Sequence, residues 1–204
     1  PIASLMHSYS MRVHHTSFLR STGWFKSAQT RTAVNAEGSA IPWMTYCSLF
    51  FIEPRLNQSL SVFEYGSGNS TLWWSGRVKD VVSCEHDQYW HSIMKEKMPD
   101  NVNYLFRQLE NDAYPKAVGE IDRLFDLIVI DGRERNKCCT HAVNRLKDDG
   151  VIVWDNSERE KYGESFELLA RLGFKRLDFF GMGPIGIEPW NTTIFYRSEN
   201  CFGI

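Results

Sequence analysis

The chain has 204 residues, 43% hydrophobic and 24% charged, with a formal net charge of −2. That length suits one globular domain with a full core, and the near-zero charge gives no global field to recruit nucleic acid or an anionic membrane. Apolar runs such as 124–130 are too short to cross a bilayer, and five cysteines without a C-x-x-C pair read as reduced thiols of a cytoplasmic protein.

Residues 1–40 form a first unit. Positions 1–36 contain no acid but carry Arg12, Arg20, Lys26 and Arg31 with three histidines. This basic segment has a transit-peptide-like composition; the expectation is a cap packed over a pocket, or a partly mobile stretch. The second unit is 41–204. Pro42 suits the first turn of a helix over 43–52, which Pro54 would stop. Strand-like runs follow at 62–65, 81–84, 102–106, 125–130 and 151–154. Helical patterns fall between them at 70–77, 88–97, 112–118 and 137–146. Continuous apolar strands spaced by helices imply a parallel sheet covered on both faces. A helix over 158–172 should end at Gly173. Runs 174–180 and 192–197 have no helix between them and should pair antiparallel. The predicted fold is α/β: a Rossmann-like seven-stranded sheet, five parallel strands plus a C-terminal β-hairpin with one reversed strand, helices on both faces.

In open parallel sheets ligands sit at the C-terminal strand ends, and that is where the chemistry-bearing residues fall. Gly66 and Gly68 follow the first strand, Glu85-His86-Asp87 the second, Glu110-Asn111-Asp112 the third, Asp131-Gly132 the fourth and Asp155-Asn156 the fifth. The glycines let backbone approach a ligand closely, and the helix that follows opens with free N–H groups. Glu85 lies 19 residues beyond Gly66, the distance at which an acid accepts hydrogen bonds from ribose hydroxyls. Two details disfavour an NAD(P)-dependent oxidoreductase. Thr71 occupies the place of the third glycine, and Glu64 would repel a pyrophosphate. A carboxylate there suits a cationic ligand bearing an ammonium and a sulfonium. A protein that binds the cofactor without turnover is the other alternative.

The segment Glu64-Tyr65-Gly66-Ser67-Gly68 resembles motif I of the class I S-adenosylmethionine-dependent methyltransferases, and the similarity extends from about position 42 to 197. The wider pattern, F-E-Y-G-S-G-N-S-T-L-W, C-E-H-D, I-D-G-R-E-R, W-D-N-S-E-R and N-T-T-I-F-Y, resembles small bacterial-type members of that family. The resemblance implies S-adenosyl-L-methionine as cofactor, with Glu64, Tyr65, Gly66, Ser67, Gly68, Asn69 and Ser70 at its methionine part. Glu85 would hold the ribose, His86 would line the adenosine, Asp112 would meet the adenine amino group, and Asp131 would stand near the transferred methyl.

Methyl transfer is an in-line displacement, so the protein aligns the acceptor, excludes water and removes a proton where needed. Asp131, Asp155 and His141 are the candidate bases, His141 also reading as an ordinary helix-surface residue. Asp131, Asp155 and Asn156 resemble the Mg²⁺ site of catechol-type O-methyltransferases, although Glu134 stands where that family's lysine base is expected, and Asp155-Asn156 could instead cap the next helix. The tetrad D/N-P-P-Y/F of nucleic-acid amino-methylating enzymes is absent. The expected acceptor is therefore a small molecule, with oxygen slightly preferred, and nucleic acid and membrane are not expected partners. Trp43, Tyr46 and Trp190 are the aromatic pocket candidates. The glycine-rich loop 181–189 suits a lid. Arg133 and Arg135 either meet an anionic acceptor or form a solvated charged loop.

Overall fold

The computed structural model describes residues 17–204; Arg12 and the three histidines of the basic segment lie outside them. Two short helices, α1 (Phe18–Ser21) and α2 (Trp24–Thr30), precede α3 (Tyr46–Ile52). The sheet strands are β1 (Ser61–Tyr65), β2 (Asp80–Glu85), β3 (Val102–Phe106), β4 (Phe125–Ile130), β5 (Leu146–Asp155), β6 (Lys175–Gly181) and β7 (Trp190–Tyr196). Between them lie α4 (Asn69–Ser75), α5 (Gln88–Lys95), α6 (Ala113–Lys116), α7 (Arg135–Ala142) and α8 (Gly163–Arg171).

The strands form one sheet in the order β3-β2-β1-β4-β5-β7-β6. β1 to β5 are parallel, and β7 inserts antiparallel between β5 and β6. The predicted seven-stranded arrangement, including its reversed strand, is the one observed. Strand order reverses beside β1 and β4, so the crevice above their ends is the site such sheets use.

Side chains alternate across the sheet. Phe63, Tyr65, Ile128, Ile130, Ile152 and Trp154 face a core closed by α7 and α8 through Cys138, Ala142 and Leu169. Val62, Leu127, Val129, Val151 and Val153 face the opposite core, closed by α3 and α4 through Leu49, Ile52, Trp73 and Trp74. Ala33 of the first unit joins this second core. All five cysteines are free thiols. Among the described residues no helix is long and apolar enough to cross a membrane.

Several boundaries differ from expectation. α3 starts at Tyr46, because Thr45 is extended and Pro42 lies before the helix. The predicted helix over 112–118 is a 3₁₀ turn, one α-turn and a second 3₁₀ turn, since Asn111 and Asp112 are both left-handed (φ 56° and 57°). The helix predicted to 146 stops at Ala142, and β5 begins at Leu146, pairing with Phe125 ahead of a register shift. The charged stretch Lys147-Asp148-Asp149 hid that strand start; Lys147 is held by an ion pair of 2.8 Å to Asp126. The last helix runs from Gly163, after a 3₁₀ turn over Glu160–Tyr162. Gly173 (φ 80°) closes it as expected, with Phe174 N–H returning to Leu169 O at 3.0 Å.

Candidate active site

The turn after β1 is shaped by a close approach. Gly66 has φ 90°, and a Cβ there would lie 3.1 Å from Gly132 backbone at the end of β4; glycine alone satisfies both the angle and the contact. Gly68 is different. Its φ of 162° is extended, and a Cβ would meet only the Trp90 ring at 3.8 Å. Ser67 between them is held on every side. Its Oγ donates to Glu85 Oε2 at 2.8 Å and meets Tyr104 OH at 2.6 Å, and its carbonyl accepts from Trp90 Nε1 at 2.9 Å.

Strand alternation sends Glu64 toward α4, where it is fully buried. Its Oε2 accepts from Thr71 Oγ1 at 2.5 Å and Ser83 Oγ at 2.8 Å, while Oε1 is buried without a partner. Burial pushes the Glu64 carboxyl up to about 7, held back by the Ser70, Thr71 and Ser83 hydroxyls and raised a little further by Asp131. A buried acceptor oxygen without a donor is costly, so this carboxylate fits a ligand that brings an ammonium. Thr71 also accepts from Gly68 N–H at 3.1 Å, a capping role that a third glycine could not fill.

Glu85 ends β2 almost fully buried. Oε2 accepts from Ser67 N–H at 3.1 Å as well as from its hydroxyl. Oε1 accepts from the His86 and Asp87 N–H groups at 2.8 and 2.9 Å. His86 Nδ1 also lies 2.8 Å from Oε1, out of line for a hydrogen bond. Glu85 thus fastens the glycine loop to the β2 end. Glu85→Ala should weaken S-adenosylhomocysteine binding by about 1–3 kcal/mol, roughly tenfold or more, measured by calorimetry. Glu85→Gln should lose nearly as much, because an amide NH₂ cannot accept from these donors. Unchanged affinity in both variants would place the nucleoside elsewhere.

Arg135 organises the ends of β4 and β5. It is 8% exposed, and its Nη2 donates to Asp131 Oδ1 at 2.9 Å, Asp131 O at 3.1 Å and Asn156 Oδ1 at 3.3 Å. Nε reaches Gly132 O at 2.9 Å, and Nη1 donates to Asp155 O. Asp155 Oδ1 accepts from Trp190 Nε1 at 2.8 Å and Thr192 Oγ1 at 2.6 Å. Asp155 therefore does not cap a helix; it anchors the reversed strand. Burial, then the charge of Asp131, pushes the Asp155 carboxyl up to about 8 against its hydrogen bonds and Arg135. Burial also raises Asp131, opposed by Arg135 and Arg159.

The Mg²⁺ expectation finds no support here. The oxygens of Asp131 and Asn156 that would ligate the ion hold a guanidinium, and Asp155 Oδ1 holds an indole and a hydroxyl. Among the described residues no group of acids, histidines or cysteines is spaced to hold a metal.

Three cavities meet at Asp131. One of about 490 Å³ is lined by Gly66, Ser67, Ser70, Glu85, His86 and Trp90. One of about 260 Å³ lies between Gly68, Asn69, Ser70 and Trp43, under Arg31 and Ala33. The third, about 560 Å³, is bounded by Trp43, Asp155, Asn156, Arg159 and Trp190 and by the β6–β7 loop at Ile187 and Glu188. Residues 17–40 roof this region: Asn69 Nδ2 donates to Ala33 O at 2.7 Å, and Trp24 Nε1 donates to Gly186 O at 2.8 Å.

Four expected site residues are not brought here. The Tyr65 side chain lies on the opposite face of β1, buried, with its hydroxyl on Pro115 O at 2.7 Å. Asp112 is exposed, turned away by its left-handed backbone, and paired with Lys137 at 2.8 Å. His141 sits in the last turn of α7, away from the strand ends, and lines none of these cavities. Tyr46 is core, packed edge-on against Phe18. Arg135, read as an acceptor contact or loop charge, is a buried clamp. The sequence reading missed Ser83 and Tyr104, and ranked Trp90 below Trp43 and Trp190. Trp90 alone carried a signal, an aromatic in the first turn after the β2 acid.

A family model described as a methyltransferase domain matches residues 63–157. No curated protein matches the chain. Among solved structures, the O-methyltransferase TomG from Streptomyces achromogenes, in complex with S-adenosylmethionine, is 19% identical. The match covers 92% of this chain and 96% of that one at a TM-score of 0.60. A precorrin-6y C5,15-methyltransferase from Geobacter metallireducens is 15% identical over 74% of this chain and 87% of that one, TM-score 0.59. An rRNA methylase from Streptococcus thermophilus is 13% identical over 74% and 95%, TM-score 0.54. At these identities the solved structures speak for the fold, the matched domain for the chemistry, and the nicotinamide alternative falls away. Residues 63–157 thus match a methyltransferase domain, and the chain as a whole has the fold of the class I S-adenosylmethionine-dependent methyltransferases.

Proposed function

We propose that the protein methylates a small-molecule acceptor, at oxygen in preference to nitrogen or carbon, in the cavity between Asp131, Asp155, Trp43 and Trp190. The observation that carries this reading is the position of Asp131, where the glycine-loop cavities and the 560 Å³ cavity join. S-adenosylmethionine supplies an electrophilic methyl on a sulfonium. Glu64 would receive its ammonium, Gly66 to Ser70 its methionine part, and Glu85 with His86 its nucleoside.

Each carboxyl of the Asp131–Asp155 pair takes its hydrogen bonds from described residues through Oδ1. The Arg135 guanidinium opposes the rise that burial imposes on Asp131, which makes Asp131 the carboxylate we assign as base. A hydroxyl that attacks carbon must shed a proton, which this arrangement accepts. TomG, a structural neighbour, is an O-methyltransferase, which supports the preference. Even without the buried Asp155, Asp131, Glu158 and Glu188 outnumber Arg159 around the acceptor cavity. Such a wall repels a phosphate backbone and weighs against an RNA substrate such as the name of the rRNA methylase neighbour implies. Five free thiols support a reducing, cytoplasmic setting.

A radiolabelled methyl-transfer screen over phenols, alcohols, amines and thiols tests this reading. Phenolic or alcoholic acceptors should dominate, with turnover indifferent to EDTA. Asp131→Asn should lower kcat by about 10²-fold or more. Preferential turnover of RNA, or full activity in Asp131→Asn, overturns the assignment.

Glu64 gives an independent pH signature. Its folded pKa lies above the unfolded value, so its contribution to stability is fully present below about pH 4.5 and is lost as pH rises through about 7. A cationic partner reverses that penalty by favouring the anion. S-adenosylhomocysteine affinity should therefore rise from pH 5.5 to 8. Binding at pH 7 should release about half a proton, read by calorimetry in buffers of different ionisation enthalpy. Glu64→Gln should abolish the release; an unchanged value would separate Glu64 from the ammonium.

A further inference from the structure

Next to the acceptor cavity lies a second concavity of about 350 Å³. Five of its lining residues are cations, Arg133, Arg135, Lys137, Arg159 and Lys161, against one acid, Glu134. Two of the cations are committed: Arg135 to the strand ends, and Lys137 to Asp112 at 2.8 Å and Glu134 at 3.0 Å. The other three are not. Among the described residues Arg133 and Lys161 form no ion pair, and Lys161 Nζ only overlies the Tyr162 ring at 5.2 Å. Arg159 has Glu158 Oε1 at 3.7 Å, but the other oxygen of Glu158 is held by Asn191 N–H at 3.0 Å. Three like charges around one hollow repel each other and focus a positive potential into it.

The hollow adjoins the methyl-transfer region on two sides. Arg159 is a wall common to it and the 560 Å³ cavity, and Arg133 is common to it and the nucleoside cavity. An acid-lined compartment thus adjoins a base-lined one. A polynucleotide carries phosphate at every step and cannot avoid the acidic wall. A small molecule with a neutral reacting end and a single acidic end matches both.

We propose that Arg133, Arg159 and Lys161 form an anion subsite that takes the carboxylate or phosphate of the methyl acceptor, whose hydroxyl lies beside Asp131. This rests on the methyl-transfer reading and specifies its substrate class.

The test has a binding arm and a turnover arm. Inorganic phosphate and benzoate are titrated by NMR into protein saturated with S-adenosylhomocysteine, in wild type and in the double variant R159Q/K161Q, whose fold is checked by circular dichroism. Methyl transfer is compared among 4-hydroxybenzoate, 4-hydroxyphenyl phosphate and neutral 4-hydroxybenzamide. The double variant should weaken anion binding at least about tenfold. It should lower the kcat/KM ratio of acid over amide by a similar factor, mainly through KM. The preferred anion, carboxylate or phosphate, identifies the acidic group. Unaltered anion binding in the variant, or wild-type preference for the amide, overturns the subsite. If no phenol turns over but the variant abolishes phosphate binding, the subsite stands and the methyl-transfer assignment falls. Single-stranded RNA binding more tightly than either small anion, and weakened by the variant, overturns the small-acceptor proposal.

Discussion

Gly68→Trp should eliminate cofactor binding while leaving the fold intact. The backbone at Gly68 is extended, and the space beyond it holds only the Trp90 ring at 3.8 Å. An indole added there projects into the cavity beside Asn69 and Ser70 and takes the volume a ligand would need. Calorimetry with S-adenosylhomocysteine should show affinity lowered by about 100-fold or more, a loss of roughly 3 kcal/mol. Circular dichroism and the melting temperature should stay near wild type. Gly66→Ala is the informative contrast. There φ is 90° and the new Cβ lies 3.1 Å from Gly132 backbone, so strain and crowding should lower stability as well as binding. Normal affinity in Gly68→Trp would mean the glycine loop is not the methionine site.

Arg135→Met should be the most destabilising substitution in the crevice. Methionine replaces the aliphatic stem, but the guanidinium that joins Asp131, Gly132, Asp155 and Asn156 is gone. The buried Asp155 and the partly exposed Asp131 then lose the cation that joins them, and removing one partner from a buried charged group costs about 3–5 kcal/mol. The pH dependence follows from the Asp155 carboxyl, already raised to about 8. An acid whose folded pKa is raised loses its favourable contribution as pH rises through that value. The deficit of the variant should therefore be smaller at pH 5, where Asp155 is protonated, and larger at pH 8. Urea denaturation at the two pH values measures it. A uniform deficit below about 0.5 kcal/mol would show Arg135 to be an ordinary surface charge.

The legible parts of this molecule were local. Alternation of apolar strands with helices, the missing helix between the last two strands, and a glycine turn followed by an acid at the next strand end are all written within short windows. The corrections came from contacts that no window contains. Arg135 looks like one charge in the run Arg133-Glu134-Arg135-Asn136-Lys137 and becomes buried only because β5 lies beside β4. His141 and Asp112 stand close in sequence to strand ends, but helix rise and two left-handed residues carry them off. Tyr65 was decidable in advance: once Glu64 faces α4, its neighbour must face the other core. Thr71 was read as a departure from a glycine pattern. A hydroxyl three residues after Gly68, at the start of a helix, was the overlooked sign of a cap that also steadies Glu64.

The stretch from Ser17 to Ala40 grips the glycine loop through Ala33 and the β6–β7 loop through Trp24. One strap thus spans two chambers. Any shift of it bears on both together, so the grip on the methionine part of the donor and acceptor choice are mechanically yoked. A lineage that remodels this strap to admit a new acceptor alters its grip on the methyl donor in the same step.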